Sequence, residues 1–149
     1  MTAMDTKKRS GNGHLPRTAP RWVTERSFRR RDIPAVRQFA RAFGARARLH
    51  SARLDDFVLA ASEATASATA GGPCTARVRL WLTGNRAYCE VRSDGARARH
   101  FGGPTLARPL AWLGEEEALR RCVLRRLSDY VSVASDSDGI WVLLSMTVA

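Results

Sequence analysis

The sequence predicts an α+β protein, a two-layer sandwich in which helices pack on one face of a mostly antiparallel sheet. Segments with apolar residues at every second position indicate strands, and segments with apolar residues at every third or fourth position indicate helices. These segments follow the order strand, helix, helix, strand, strand, loop, helix, strand, strand, which is typical of an α+β sandwich. A length of 149 residues fits one domain that can bury a sizeable core.

The first half of the folded part predicts one strand and two helices. Residues 22–28 alternate as a short edge strand. Asp32 is expected to cap the first helix, which should end near Gly44. The second helix is expected to begin near Ser51 and to stop at the glycines and proline of 71–73.

The second half predicts two hairpins and one more helix. Residues 76–92 alternate as a hairpin, and the less regular residues 93–113 predict a long loop. A third helix is expected over residues 115–128, and the chain should close with a hairpin that turns at residues 136–139. The expected buried face of the third helix consists of Leu119, Cys122, Val123 and Leu127.

The chain carries 25 lysines and arginines against 14 aspartates and glutamates, a formal net charge of +11. Residues 1–21 are polar and predict a disordered basic tail, and residues 22–149 predict the domain. The excess of arginine indicates either a GC-rich genome or a surface for a nucleic acid or another anionic partner. No nucleic-acid motif is recognisable, and the aromatic residues do not interleave with the basic ones, so a nucleic-acid partner is not favoured.

Composition also bears on metal binding and location. The cysteines and histidines are widely spaced, so no metal site built from them is expected. Cys89 and Cys122 fall on predicted core faces and are expected to be buried. No stretch has the roughly 20 apolar residues of a membrane span, and no apolar run follows the basic N-terminal residues as in a secretory signal. A cytoplasmic location is therefore expected.

A resemblance to a known family rests on three segments: FVLAASEATASATAGG (57–72), YCEVRSDG (88–95) and LRRLSDYVSVASDSDGIWVLLSM (124–146). Together with the order of elements, they resemble the histidine-kinase-like ATPase (GHKL) family. The resemblance is strongest to its branch of anti-sigma-factor serine kinases. It covers residues 22–148 and implies a Bergerat-type ATP-binding fold with Mg-ATP as cofactor.

The first segment resembles the family's helix that carries a catalytic glutamate and a magnesium-binding asparagine. Glu63 stands at the glutamate position, where the resemblance implies a general base that activates a hydroxyl or a water. The other interpretation is a half-buried carboxylate bound to the hydroxyl of Thr65 or Ser67. Ser67 stands at the position of the asparagine, and serine offers Mg²⁺ only one weak hydroxyl ligand.

The other two nucleotide motifs also depart from the family pattern. Ser93 stands at the position of the adenine-binding aspartate, with Asp94 and Gly95 directly after it. Asp94 and Gly95 would read adenine after a shift of one residue, or they form an ordinary turn. Arg120 falls among residues that replace a phosphate-binding glycine motif, and it either reaches phosphate or is a solvated arginine. The acidic run at 115–117 fits the first turn of a helix.

These observations lead to three hypotheses of function. The first is a regulatory protein that holds a sigma factor or an anti-sigma antagonist, with nucleotide binding weakened or lost. The second is an active ATP-dependent serine/threonine kinase of the anti-sigma type that uses Glu63, and the third is a basic nucleic-acid-binding protein. The resemblance also implies a homodimer. Trp81 and Trp141 are expected on the open face of the sheet or at a partner interface.

Overall fold

Three helices and five strands make up the described part of the chain, which comprises residues 22–70, 75–93, 110–136 and 139–148 of a computed structural model. In chain order they are β1 (Trp22–Arg29), α1 (Ile33–Arg46), α2 (Ser51–Ala68), β2 (Thr75–Thr83), β3 (Arg86–Ser93), α3 (Leu110–Leu127), β4 (Tyr130–Asp136) and β5 (Gly139–Thr147). The predicted tail, residues 1–21, lies outside the described residues.

The strands form one sheet in the order β1-β2-β3-β5-β4, and every neighbouring pair is antiparallel. Alternate residues of each strand face the helices. On the central strands this side carries residues that are 0% exposed: Val78, Leu80, Cys89, Val91, Val142 and Leu144. The predicted α+β two-layer sandwich is therefore confirmed.

Helix α2 occupies the middle of the helical layer. It lies between α1 and α3 and also contacts β2, β3 and β5. Its most enclosed positions are small, and Ala60, Ala61, Ala64 and Ala68 are all 0% exposed. Small side chains at these positions let the helix backbone lie close to its neighbours without leaving a void.

Helix α1 does not end at Gly44, as the sequence predicted, but continues to Arg46. The helix ends in a Schellman motif, in which the Leu49 N–H donates to the carbonyl of Gly44 and the Arg48 N–H donates to that of Ala45. Arg48 adopts the left-handed conformation that the motif requires, with φ of 64°. Gly44 instead lies inside the helix, where an added Cβ atom would collide with the side chain of Leu54.

The prediction that Asp32 caps α1 is confirmed for its position, but its side chain bonds elsewhere. Asp32 occupies the N-cap position, but its carboxylate makes no cap hydrogen bond to the helix. It accepts instead from the backbone N–H of Arg29 at 2.9 Å. A short 3-10 turn, Arg30–Asp32, separates β1 from α1, and the aspartate closes this turn.

Helix α3 differs most from its prediction. It begins at Leu110, ahead of the expected start at residue 115. Leu119 and Cys122, both expected in its buried face, are exposed, and Leu119 is 66% accessible. Leu124 is the buried residue of the described part of this helix, flanked by half-buried Val123 and Leu127. The helix packs mainly against α2 and touches the edge strand β4, so only a narrow face is covered.

Asp129 connects the helical layer to the end of the sheet. Its two carboxylate oxygens each accept a hydrogen bond of 3.0 Å from the guanidinium of Arg53 in α2. One of these oxygens also accepts from the backbone N–H of Thr147 at 2.7 Å. Partial burial raises the pKa of Asp129, but the bonds from Arg53 and Thr147 and the positive charge of Arg53 outweigh it. The pKa is therefore lower than the ordinary value of 3.8.

We expect this carboxylate to make folding stability depend on acid. A pKa that is lower in the folded state adds stability above the unfolded value, and that stability is lost as the pH falls through the folded pKa. Asp129→Asn should lower the free energy of unfolding by about 1 kcal/mol at pH 7, since the pair is partly exposed to solvent. The difference from wild type should shrink below pH 3.8. Urea unfolding across the acid range measures both effects.

Asp55→Asn is the matched control for this carboxylate. Asp55 pairs with Arg41 at 3.1 Å, but the two side chains are 69% and 52% exposed. An exposed pair contributes little, so the control should change stability by less than about 0.5 kcal/mol. Equal losses in the two variants would contradict the role assigned to Asp129.

The cysteines give a second test of the fold. Cys89 is buried as predicted, and this burial, together with the charge of Glu90, raises the pKa of its thiol far above the usual range. Because the thiolate is the reactive form, Cys89 should resist modification in the native state. In a Cys74→Ser background, a disulfide reagent should label Cys122 in the folded protein and Cys89 only after unfolding. Rapid labelling that persists in a Cys122→Ser variant would contradict this assignment.

Candidate functional site

Helix α2 carries the two residues that the resemblance assigns to catalysis and metal binding, Glu63 and Ser67. Ser67 lies one turn after Glu63, so the two residues are on nearly the same side of the helix. Glu63 is half-buried and lies one turn after Leu59, which is 41% exposed, whereas Ser67 is buried. This side of α2 is therefore the margin of its buried face.

Of the two hydroxyls expected as partners of Glu63, that of Thr65 donates its hydrogen to another group. The hydroxyl of Thr65 donates to the carbonyl of Ala61 at 2.8 Å. Glu63 is half-buried, and no hydrogen bond joins it to Ser67 among the residues that the structure describes. The interpretation of Glu63 as a carboxylate held by a neighbouring hydroxyl is therefore not supported.

Ser67 is enclosed rather than presented to a ligand. It is 2% exposed, in a helix whose other buried hydroxyls bond to carbonyls of the helix itself. Ser62 donates to Leu59, and Thr69 donates to Thr65. Mg²⁺ usually keeps several water molecules when a protein binds it. A hydroxyl that is closed off from solvent suits such a hydrated ion poorly.

Ser93 ends β3 on the side of the sheet that faces the helices. Its hydroxyl accepts a hydrogen bond of 2.7 Å from the backbone N–H of Ile140 and donates to the carbonyl of the same residue at 3.3 Å. Ile140 lies at the start of β5, where the ladder from β3 runs out. The hydroxyl therefore extends the pairing of the two strands, and Asp94 and Gly95, which follow it, lie outside the described residues.

Arg120 is half-buried on α3. Helix α3 packs against α2, the helix that carries Glu63 and Ser67. In the described part of the chain, no hydrogen bond joins Glu63, Ser67 and Ser93.

The sheet face opposite the helices, which we call the open face, carries a second candidate site. Trp81 on β2 and Tyr88 on β3 are directly paired there, with ring planes 4° apart and centroids at 5.1 Å. Together with Leu143 they form a small buried cluster, against which Tyr130 and Trp141 are packed. We call these five residues the aromatic cluster. The predicted position of both tryptophans on the open face is confirmed, but Trp81 is only 5% exposed.

Arginines surround the aromatic cluster on the same face. The guanidinium of Arg79 lies 5.5 Å from the centre of the Trp81 ring, and Arg86 donates to the hydroxyl of Ser145 at 3.0 Å. Basic and aromatic residues therefore interleave on this face, contrary to the prediction. Each strand alone shows only one or two of them, and the register brings them together. The sequence could have indicated these residues, because the positions that alternate with the apolar ones in each strand all lie on the open face.

Trp141 is held in place on the open face by a carboxylate. Its indole N–H donates to Glu90 at 2.7 Å, and Arg92 also approaches Glu90 at 3.5 Å. Glu90 is only 12% exposed at its side chain. This arrangement fixes the indole before any partner binds, which lowers the entropy cost of binding.

In comparisons with known proteins, no family model matches the chain and no curated protein matches it. Within the described ranges, no group of three or more histidine, cysteine, aspartate or glutamate residues is placed to hold a metal ion. The described helices include none that is long and apolar enough to cross a membrane.

The position of Ser93 leads to a prediction about stability. Ser93→Ala removes a hydroxyl that bonds to a buried N–H, and an unpaired buried donor costs about 1–3 kcal/mol. We expect urea unfolding to show a loss of this size and the amide of Ile140 to exchange faster with solvent. Ser27→Ala, at an exposed position of β1, is the control and should change neither. An unchanged Ile140 amide in Ser93→Ala would contradict the bonding described.

Proposed function

We propose that this chain is a regulatory binding protein on an ATPase-like α+β sandwich, in which nucleotide binding is weakened or lost. The observation that carries the proposal is the bonding of Ser93. At the position where the resemblance to the GHKL family implies an adenine-reading carboxylate, the chain has a hydroxyl that is bonded to the backbone of Ile140. A hydroxyl that is bonded between two strands is poorly suited to accept a hydrogen bond from adenine.

The enclosure of Ser67 supports the same proposal. The resemblance implies a magnesium ligand at this position, and the side chain is a short hydroxyl that is 2% exposed. The loss of an ion that bridges phosphates would remove much of the affinity for a nucleoside triphosphate. In two of the three nucleotide motifs, therefore, the residue at the key position is bonded or enclosed within the protein: Ser93 and Ser67.

The proposed partner is a transcription regulator, either a sigma factor or an anti-sigma antagonist, and the proposed location is the cytoplasm. This partner class follows from the resemblance to anti-sigma-factor proteins. It is compatible with an open sheet face that presents tryptophan, tyrosine and arginine, the residue types that dominate binding energy at protein interfaces. A homodimer is compatible with this function.

A thermal unfolding series with nucleotide tests the proposal. A ligand at 100 times its Kd adds about 2.7 kcal/mol to folding stability, which moves the melting temperature by several degrees in a protein of this size. We expect millimolar Mg-ATP or Mg-ADP to leave the melting temperature unchanged. A GHKL kinase with intact motifs serves as the positive control.

The sigma factors and anti-sigma antagonists of the source organism, purified one at a time, provide the second arm. We expect at least one of them to bind the chain without nucleotide. If Mg-ATP raises the melting temperature and a partner becomes phosphorylated, the chain is an active kinase. Glu63→Gln should then abolish phosphorylation while leaving the thermal shift in place. If neither a regulator nor nucleotide binds, the proposal is wrong.

A further inference from the structure

The open face of the sheet combines an apolar centre with a basic margin. The aromatic cluster forms the centre, and beside it Val23 of the edge strand β1 is paired with Trp81 and is 41% exposed. Trp141 and Tyr130 are half-buried and complete the apolar surface. No described helix covers this face, because the three helices pack on the other one.

Positive charge is in excess on this face. By strand register, its described side chains include five arginines and two glutamates: Arg29, Arg77, Arg79, Arg86, Arg92, Glu25 and Glu90. Both glutamates already have partners, since Glu25 pairs with Arg77 at 3.4 Å and Glu90 binds Trp141 and Arg92. These described side chains carry a net formal charge of +3, which favours an anionic partner.

The charge of the chain itself argues against an internal occupant or a second copy. Residues 1–21 carry a net charge of +4, and residues 94–109 carry +2, so neither segment complements the arginines. Two copies that met through this face would bring five arginines against five. Like charges brought together at an interface oppose association.

The aromatic geometry argues against a single-stranded nucleic acid. Such ligands bind by stacking bases on exposed aromatic rings. Trp81 and Tyr88 stack on each other instead and are 5% and 7% exposed. Their rings thus offer little free surface on which a base could stack, whereas Arg77, Arg79 and Arg92 are exposed and available to carboxylates.

We propose that the open face is the docking surface for an acidic segment of another protein. Apolar side chains of that segment would cover Val23 and Trp141, and its carboxylates would bind Arg77, Arg79 and Arg92. This inference rests on the proposed function, because it names the surface that holds the regulator and the chemistry of the regulator's contact.

The test measures binding of a defined probe, a fluorescein-labelled peptide of repeated Asp-Glu-Gly-Leu-Phe units, by fluorescence anisotropy. A peptide in which lysine and arginine replace the acids is the charge control. We expect the full chain to bind the acidic peptide and not the basic one, with affinity that falls as salt is added. The double substitution Arg77→Gln and Arg79→Gln should weaken binding about tenfold or more.

The matched control removes the same charge elsewhere. Arg121 and Arg125 are exposed on α3, and their double substitution with glutamine should leave binding of the peptide unchanged. Thermal unfolding of both double variants verifies that they fold. Equal weakening in the two variants, or no binding of the acidic peptide, would overturn the inference.

Two further outcomes would also overturn it. One is an oligothymidylate that displaces the peptide and binds more tightly, which would make the face a nucleic-acid site. The other is a dimer in sedimentation that Val23→Asp dissociates, which would make it an interface between copies. If the peptide binds as expected but no regulator does, the inference stands and the proposed function fails. If a regulator binds and the arginine substitutions leave its affinity unchanged, the proposed function stands and the inference fails.

Discussion

The burial of α2 is the constraint on which the rest of the structure depends. This helix touches both other helices and three strands, and its enclosed positions are alanines that are fully buried. A bulky residue there would separate the helical layer from the sheet, because protein interiors leave little unfilled volume. The same packing determines which residues of α2 remain near solvent. Glu63 is half-buried, while Ser67 is enclosed.

Because the three described helices pack on one face of the sheet, none of them covers the other face. The polar groups and aromatic rings on that face therefore find their partners among one another. Trp81 stacks on Tyr88, Trp141 donates to Glu90, and Arg79 lies over an indole ring. The result is an ordered face with a buried aromatic centre and exposed arginines beside it. On the helical side, Ser93 is bonded to the backbone of Ile140 and Ser67 is enclosed.

The two faces therefore point to different chemistry. On the helical side, Ser93 bonds to Ile140, and the hydroxyls of Ser62 and Thr65 donate to carbonyls of α2, so these polar groups stabilise the fold. On the open face, the arginines exceed the carboxylates, and the aromatic rings are held rigid.

The sequence by itself determined the order of elements, the class of fold and the core faces of the strands, because periods of two and of 3.6 residues are local properties of the chain. It could not place the end of α1, since a Schellman motif formed at an arginine rather than at a glycine. Nor could it find the buried side of α3, where packing against α2 alone decides which residues are covered. Only the tertiary structure decided that Ser93 is bonded to Ile140 and that arginines meet tryptophans on one face. Both results depend on strand register, which joins residues that are far apart in sequence.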